Sequence, residues 1–189
     1  MPTELQYPVL LLPGWLDSGP GHWQTRWQAR YADQRVEQQD WQWPRRGDWM
    51  SRLEEVLLEQ TGPVLLAAHS LACWLVAAWA AHTAEPGRVA GALLVAPPDL
   101  GRVDLPPQLQ GWRGTPRQRL PFPSRLICSS DDPYADLGAS RALADDWSAA
   151  LTEAGPVGHI NQDSGLGDWE QGRALLAELE TPRRIDPSA

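Results

Sequence analysis

At 189 residues, 42% of them hydrophobic and 21% charged, the chain is long enough to bury a core of its own and too apolar to be disordered. A formal net charge of −8 argues against nucleic acid or an anionic membrane surface as a partner. All 16 basic residues are arginine, which excludes a P-loop lysine, a Schiff-base lysine and a Ser–Lys dyad.

No apolar run reaches the length of a membrane span, and residues 1–12 lack the basic-then-apolar layout of a leader, so a cytoplasmic protein is expected. Cys73 and Cys128 lie in separate apolar segments and show neither a metal spacing nor a disulfide framework. They read as buried thiols, and neither a metal nor another cofactor is expected.

In chain order, residues 9–12 are a short apolar run stopped by Pro13-Gly14, hence a buried strand entering a turn. Residues 23–32 read as a first helix and 35–39 as a weak strand. Residues 48–60 form a second helix capped by Asp48, with Met50, Leu53, Val56 and Leu57 on one face and Thr61-Gly62-Pro63 at its end. A continuous apolar strand, 64–68, runs without a loop into an apolar helix, 71–81. Strands follow at 89–96, closed by Pro97-Pro98, and at 125–128, then a helix at 140–151, a short strand at 155–158 and a last helix at 169–179.

Strands that are apolar throughout are covered on both faces by helices. The alternation of strand and helix then predicts right-handed crossovers and a mostly parallel six-stranded sheet of order 2-1-3-4-5-6 in a single α/β domain. The crevice at such a sheet lies at the carboxyl ends, where the strand order reverses. Residues 99–123, with five prolines and little periodicity, are expected to be an irregular excursion over that edge, and residues 181–189 a frayed tail.

Ser70, in Ala68-His69-Ser70-Leu71-Ala72, follows the apolar strand and precedes the apolar helix. A serine thrust out at such a turn is a nucleophile elbow, in which the flanking positions must be small; here both are alanine where glycine is usual. A helix N-cap is the structural alternative for the same serine. A serine needs a base held in one tautomer by an acid, and only four histidines are available. His69 is next to Ser70 and should point to the opposite face. His82 lies about 18 Å along the helix, and His22 sits in an early loop where it lines a site or satisfies backbone groups. His159 follows the last short strand at the edge where the serine emerges, and is the best candidate. The acid should leave the preceding strand in Ser130-Asp131-Asp132-Pro133, where Asp132, biased away from helix by the proline, is preferred over Asp131. The order Ser70, Asp132, His159 is that of α/β-hydrolases. Oxyanion donors are expected from the backbone amides of Leu71 and, after the first strand, Trp15.

These residues resemble the small α/β-hydrolases related to YdeN and retinoblastoma-binding protein 9, a family of serine hydrolases. The resemblance covers nearly the whole chain. It rests on Leu11-Leu12-Pro13-Gly14-Trp15, His22-Trp23 with Trp27, Gln39-Asp40-Trp41 with Trp49, Ala68-His69-Ser70-Leu71 and Leu93-Leu94-Val95-Ala96-Pro97. It continues in Ser130-Asp131-Asp132-Pro133-Tyr134, Gly158-His159-Ile160-Asn161 and Ser164-Gly165-Leu166-Gly167-Asp168-Trp169. It implies an α/β-hydrolase fold with little or no cap, and by position a triad of Ser70, Asp132 and His159.

The expected activity is metal-free hydrolysis of a small-molecule acyl substrate through an acyl-enzyme, an ester before a thioester or amide. Trp15, Trp112, Tyr134 and Leu166 are the expected pocket walls. The alternative is a non-catalytic, protein-binding member of the same fold, although no protein partner is indicated. Two further classes fit less well. The eleven tryptophans could form a carbohydrate platform, but no paired carboxylates accompany them. A nucleotide-binding module would need a G-x-G-x-x-G after the first strand, which is missing.

Overall fold

Every residue of β1 (Val9–Leu12) and β3 (Val64–His69) is buried. Side chains alternate between the two faces of a strand, so a strand buried at every position must be covered on both. The computed structural model, which describes residues 5–180, shows that arrangement. Leu10, Leu12, Leu66 and Ala68 pack on one face with Trp49 and Leu53 of α2 (Arg46–Glu59), α3 (Leu71–Ala80), and Leu143 and Trp147 of α4 (Leu137–Trp147). Val9, Leu11, Leu65 and Ala67 pack on the other with Trp23 and Trp27 of α1 (Trp23–Tyr31) and Leu176 of α5 (Glu170–Ala177). Truncating a fully buried leucine such as Leu66 to alanine in a layer of this kind costs about 2–5 kcal/mol.

With β2 (Gln34–Arg35), β4 (Val89–Val95), β5 (Ser124–Cys128) and β6 (Ala150–Glu153), the strands form one sheet of order β2-β1-β3-β4-β5-β6. Every neighbouring pair is parallel. Chain direction across the sheet reverses between β2-β1 and β3-β4, and at this switch one buried amide joins the two halves. Gln24 Nε2 donates to the carbonyls of Leu12 (3.0 Å) and Ala67 (2.9 Å), while its Oε1 accepts from Ser18 Oγ (2.7 Å).

Four elements depart from the ranges expected of them. β2 is only two residues long and ends at Arg35, because its partner β1 is itself short and pairs there through Leu10 and Leu11 alone. The helix expected from Asp48 begins at Arg46 and has no side-chain cap, so Asp48 lies in the first turn, where a carboxylate suits the helix dipole. The helix expected at 140–151 begins at Leu137 because the Asp136 carboxylate accepts from Ala139 N, and it ends at Trp147, where Ser148 turns left-handed. That early end frees residues 150–153 to become β6, in place of the strand expected at 155–158. Residues 99–123 contain a run of 3-10 turns at Pro107–Trp112, and they bury Leu100, Leu105, Leu109, Trp112, Leu120 and Phe122 against the α2–α3–α4 face. The tail expected at 181–189 lies outside the described residues. Among the described residues no helix is long and apolar enough to cross a membrane.

Candidate active site

The turn between β3 and α3 is made by one residue. Ser70 has φ 55° and ψ −123°, a left-handed conformation that an L-residue adopts only under constraint. The constraint comes from both sides: Ser70 N donates to Val95 O of β4 (2.8 Å), and Cys73 N donates to Ser70 O (3.0 Å). Ala68 and Ala72, the two small positions, are fully buried. A third element closes the packing. A methyl group on Gly14, just past β1, would sit 2.9 Å from both His69 O and Ser70 Cβ, and 3.3 Å from Leu71 N. Only glycine lets the chain leaving β1 lie against the elbow, and this contact carries Trp15 to the side of Ser70. Leu71 is the first residue of α3, so its amide has no acceptor within the helix.

The loop after β6 brings in His159. Its Nε2 is 2.9 Å from Ser70 Oγ, and its Nδ1 is 2.9 Å and 3.1 Å from the two carboxylate oxygens of Asp132. The Asp132 side chain is 3% exposed and that of His159 10%, so water barely competes for the bond between them. Asp132 Oδ1 also accepts from Tyr134 N (2.9 Å), which fixes the carboxylate in the turn ahead of Pro133. Asp131 is turned elsewhere: it accepts from Ser129 Oγ (2.7 Å) and from Gly158 N (2.7 Å), and these bonds hold its carboxyl below the usual carboxylate range. Of the two adjacent aspartates, the structure puts Asp132 on His159 and Asp131 on the backbone of the loop that carries it.

The other histidines are accounted for. His82 bonds through Nδ1 to Ala78 O at the far end of α3. His22 caps α1, accepting from Gln24 N through Nδ1 (3.2 Å). Burial, followed by the charges of Arg35 and His159, pushes its pKa down to about 3. His69 reaches away from Ser70 to the carbonyl of His159 (2.9 Å), and burial holds it well below the ordinary histidine range. Both imidazoles are therefore neutral. Cys73, two residues into α3, is buried and its thiol is pushed up, which makes it a poor nucleophile despite its position.

Ser70 and His159 open into a cavity of about 550 Å³. Trp15, Leu71 and Tyr134 line it, as do Pro98, Leu105, Pro106 and Leu109 from the start of the excursion. Two expected walls are corrected. Trp112 is fully buried, donates its indole N–H to Pro44 O (2.8 Å) and packs edge-on against Trp49; the 3-10 turn points it into the core. Leu166 packs on the α1–α5 side with Trp169 and Ile160, because the 3-10 turn at Gln162–Ser164 carries it away from the opening. The sequence reading missed Arg102, Asn161 and Gln162, which also line the cavity, along with Leu105 and Leu109. The two leucines carry a weak signal, being isolated apolar residues in a polar, proline-rich stretch. Among the described residues no group of three or more His, Cys, Asp or Glu side chains is arranged to hold a metal ion.

A parallel sheet of this order, with a strained serine between strand and helix and an aspartate and a histidine at later strand ends, defines an α/β-hydrolase. The family model "Serine hydrolase" matches residues 9–178. Among solved structures, a hydrolase described as YdeN-like from Pectobacterium atrosepticum is 30% identical, covers 92% of this chain and 90% of its own, and superposes with a TM-score of 0.81. The ydeN gene product of Bacillus subtilis is 21% identical over 92% of this chain and 98% of its own, with a TM-score of 0.71. A thermophilic esterase from Thermogutta terrifontis shares the fold at 15% identity, over 95% and 92% of the two chains, with a TM-score of 0.68. None of the curated proteins searched matches the chain. The chain belongs to the serine hydrolase family.

Proposed function

We propose that the protein hydrolyses a small, uncharged carboxylic ester through an acyl-enzyme on Ser70. The observation that carries this reading is the unbroken path of hydrogen bonds from Ser70 Oγ through His159 to Asp132, opening onto the cavity. Ser70 Oγ attacks the ester carbonyl carbon while His159 Nε2 takes its proton, and Asp132 accepts from Nδ1–H and stabilises the imidazolium. The amides of Leu71 and Trp15 donate to the oxyanion, each worth about 3 kcal/mol of the barrier. Collapse of the tetrahedral intermediate breaks the ester C–O bond, and the departing alkoxide takes the proton from His159. Water then attacks the acyl-serine with His159 again accepting a proton, and the acid leaves as Ser70 is reprotonated.

The apolar walls at Leu105, Pro106, Leu109 and Trp15 favour an acyl group without charge. An ester is preferred to an amide because its alkoxide leaves more readily than an amine. The likeness of fold to a known esterase agrees with that preference.

Labelling with a fluorophosphonate tests the reading. Wild-type protein should label on Ser70 and Ser70→Ala should not. Equal labelling of both would remove Ser70 as the nucleophile, and labelling of neither would favour the protein-binding alternative. Turnover of p-nitrophenyl butyrate should exceed that of the matching anilide; the opposite ranking would make the protein an amidase.

A further inference from the structure

His159 sits on a loop with an unfavourable backbone. Gly158 has φ 63°, which glycine adopts freely, but Ile160, a β-branched and fully buried residue, has φ 50°, a region such residues avoid. A loop in this conformation stays in place only if its surroundings hold it. Three consecutive residues are held, each by a different part of the fold. Gly158 N donates to Asp131. His159 O accepts from His69 Nε2 (2.9 Å), and Ile160 O accepts from the Trp23 indole N–H (3.0 Å).

A carbonyl can only accept, so His69 carries its proton on Nε2. His69 is 5% exposed, and the rings of His22 and His159 lie 4.6 Å and 4.9 Å from it. His22 in turn has its proton on Nε2, since its Nδ1 accepts from Gln24 N, and that Nε2 is buried without a partner.

Building on the triad reading above, we infer that His69 and Trp23 are positioning residues for His159: they clamp two successive carbonyls of its loop so that its ring spans Ser70 and Asp132 together. The residue before the nucleophile thus aligns the base, and the first helix fixes the last loop. A displacement of about 1 Å at a reacting group can cost on the order of 10²-fold in rate, so the clamp belongs to kcat and not to substrate affinity.

The test compares His69→Asn, His69→Gln and Trp23→Phe with wild type, using p-nitrophenyl butyrate turnover and fluorophosphonate labelling. The shorter asparagine cannot reach His159 O, whereas the glutamine amide nitrogen takes the place of Nε2. His69→Asn should lose about 10- to 100-fold in kcat with KM within about twofold, and His69→Gln should recover most of the loss. The low-field proton NMR resonance of the His159–Asp132 pair should be present in wild type and His69→Gln and broadened or absent in His69→Asn. Equal kcat in His69→Asn and wild type, or equal losses in Asn and Gln at matched melting temperatures, would overturn the inference. Should His69→Asn fail to fold, Trp23→Phe decides, and an unchanged kcat there also overturns it. Wild type that turns over ester independently of Ser70 removes the triad reading, and this inference with it. Serine-dependent turnover indifferent to His69 and Trp23 removes the clamp alone.

Discussion

The two sides of the cavity are built differently. On one, the β3–α3 elbow and the loops after β1 and β6 are locked by buried contacts: Gly14 against the elbow, Ser70 N on Val95 O, His159 between serine and aspartate. On the other, the stretch from Asp99 to Leu109 is held at its rim by exposed groups. Arg102 pairs with Asp104 and donates to Pro133 O, Arg113 donates to Arg102 O, and Val103 is fully exposed. The contrast separates two tasks. The side that holds Ser70, His159 and Asp132 is over-determined, while the facing side is set by a few leucines and one surface ion pair, which contributes little.

Substitutions should therefore divide the same way. Ser70→Ala should remove on the order of 10⁶-fold in kcat. Asp132→Asn should remove about 10⁴-fold, read by steady-state kinetics. Asp131→Asn should cost about tenfold or less, because an asparagine Oδ1 still accepts from Gly158 N. A larger loss at Asp131 than at Asp132 would exchange their roles. Gly14→Ala forces a methyl group to within 2.9 Å of His69 O and Ser70 Cβ, neither of them the free end of a flexible side chain. It should lower kcat about 10²-fold and stability by about 1–3 kcal/mol, measured by urea unfolding.

The locked side should also respond to acid. His22 and His69 are neutral when folded and titrate near 6.5 once unfolded, so below that pH the unfolded chain binds more protons. Stability should fall by up to about 1.4 kcal/mol per pH unit for each histidine as pH drops from 6.5 toward 4.5, above the carboxylate range. Equal unfolding midpoints at pH 7 and pH 5 would contradict this. On the looser side, Leu109→Ala should raise KM for a hexanoyl ester several-fold while the acetyl ester changes little. Arg102→Ala should have the smallest effect, a shift in acyl-chain preference with almost no change in melting temperature. A loss at Arg102 comparable to that at Gly14 would erase the distinction between the two sides.

The locked side was also the one legible in the sequence. Unbroken apolar runs identify β1, β3 and β4, and the absence of residues between 69 and 71 available for a loop identifies the elbow. His159 follows from having few histidines to choose among. The edge of the sheet was read less well. β6 is Ala-Leu-Thr-Glu, half-buried, with too little apolar character to stand out, and its position depends on where Ser148 ends α4. Asp136 is the cap signal that marks the true start of α4. Trp112 and Leu166 are not legible as core residues because an aromatic or aliphatic side chain in an irregular segment can face core or cavity equally well, and the turn geometry that decides this comes from distant contacts. The hydrogen bond from His69 to the His159 carbonyl is hidden for a related reason. His69 could be set aside as a base from alternation along the strand, but its acceptor lies 90 residues away.

That separation bears on how the protein acquires its activity. Ser70 and His159 are joined across 89 residues, and the two belong to opposite halves of the chain. Parallel sheets of this kind form slowly because distant segments must meet before any ladder is made. The elbow can exist once β1, β3 and β4 have paired, yet the contact of Ser70 with His159 must wait for β6 and the loop beyond it. During refolding, helical circular dichroism should return first and turnover last, so enzymatic rate becomes a clock for the final docking event.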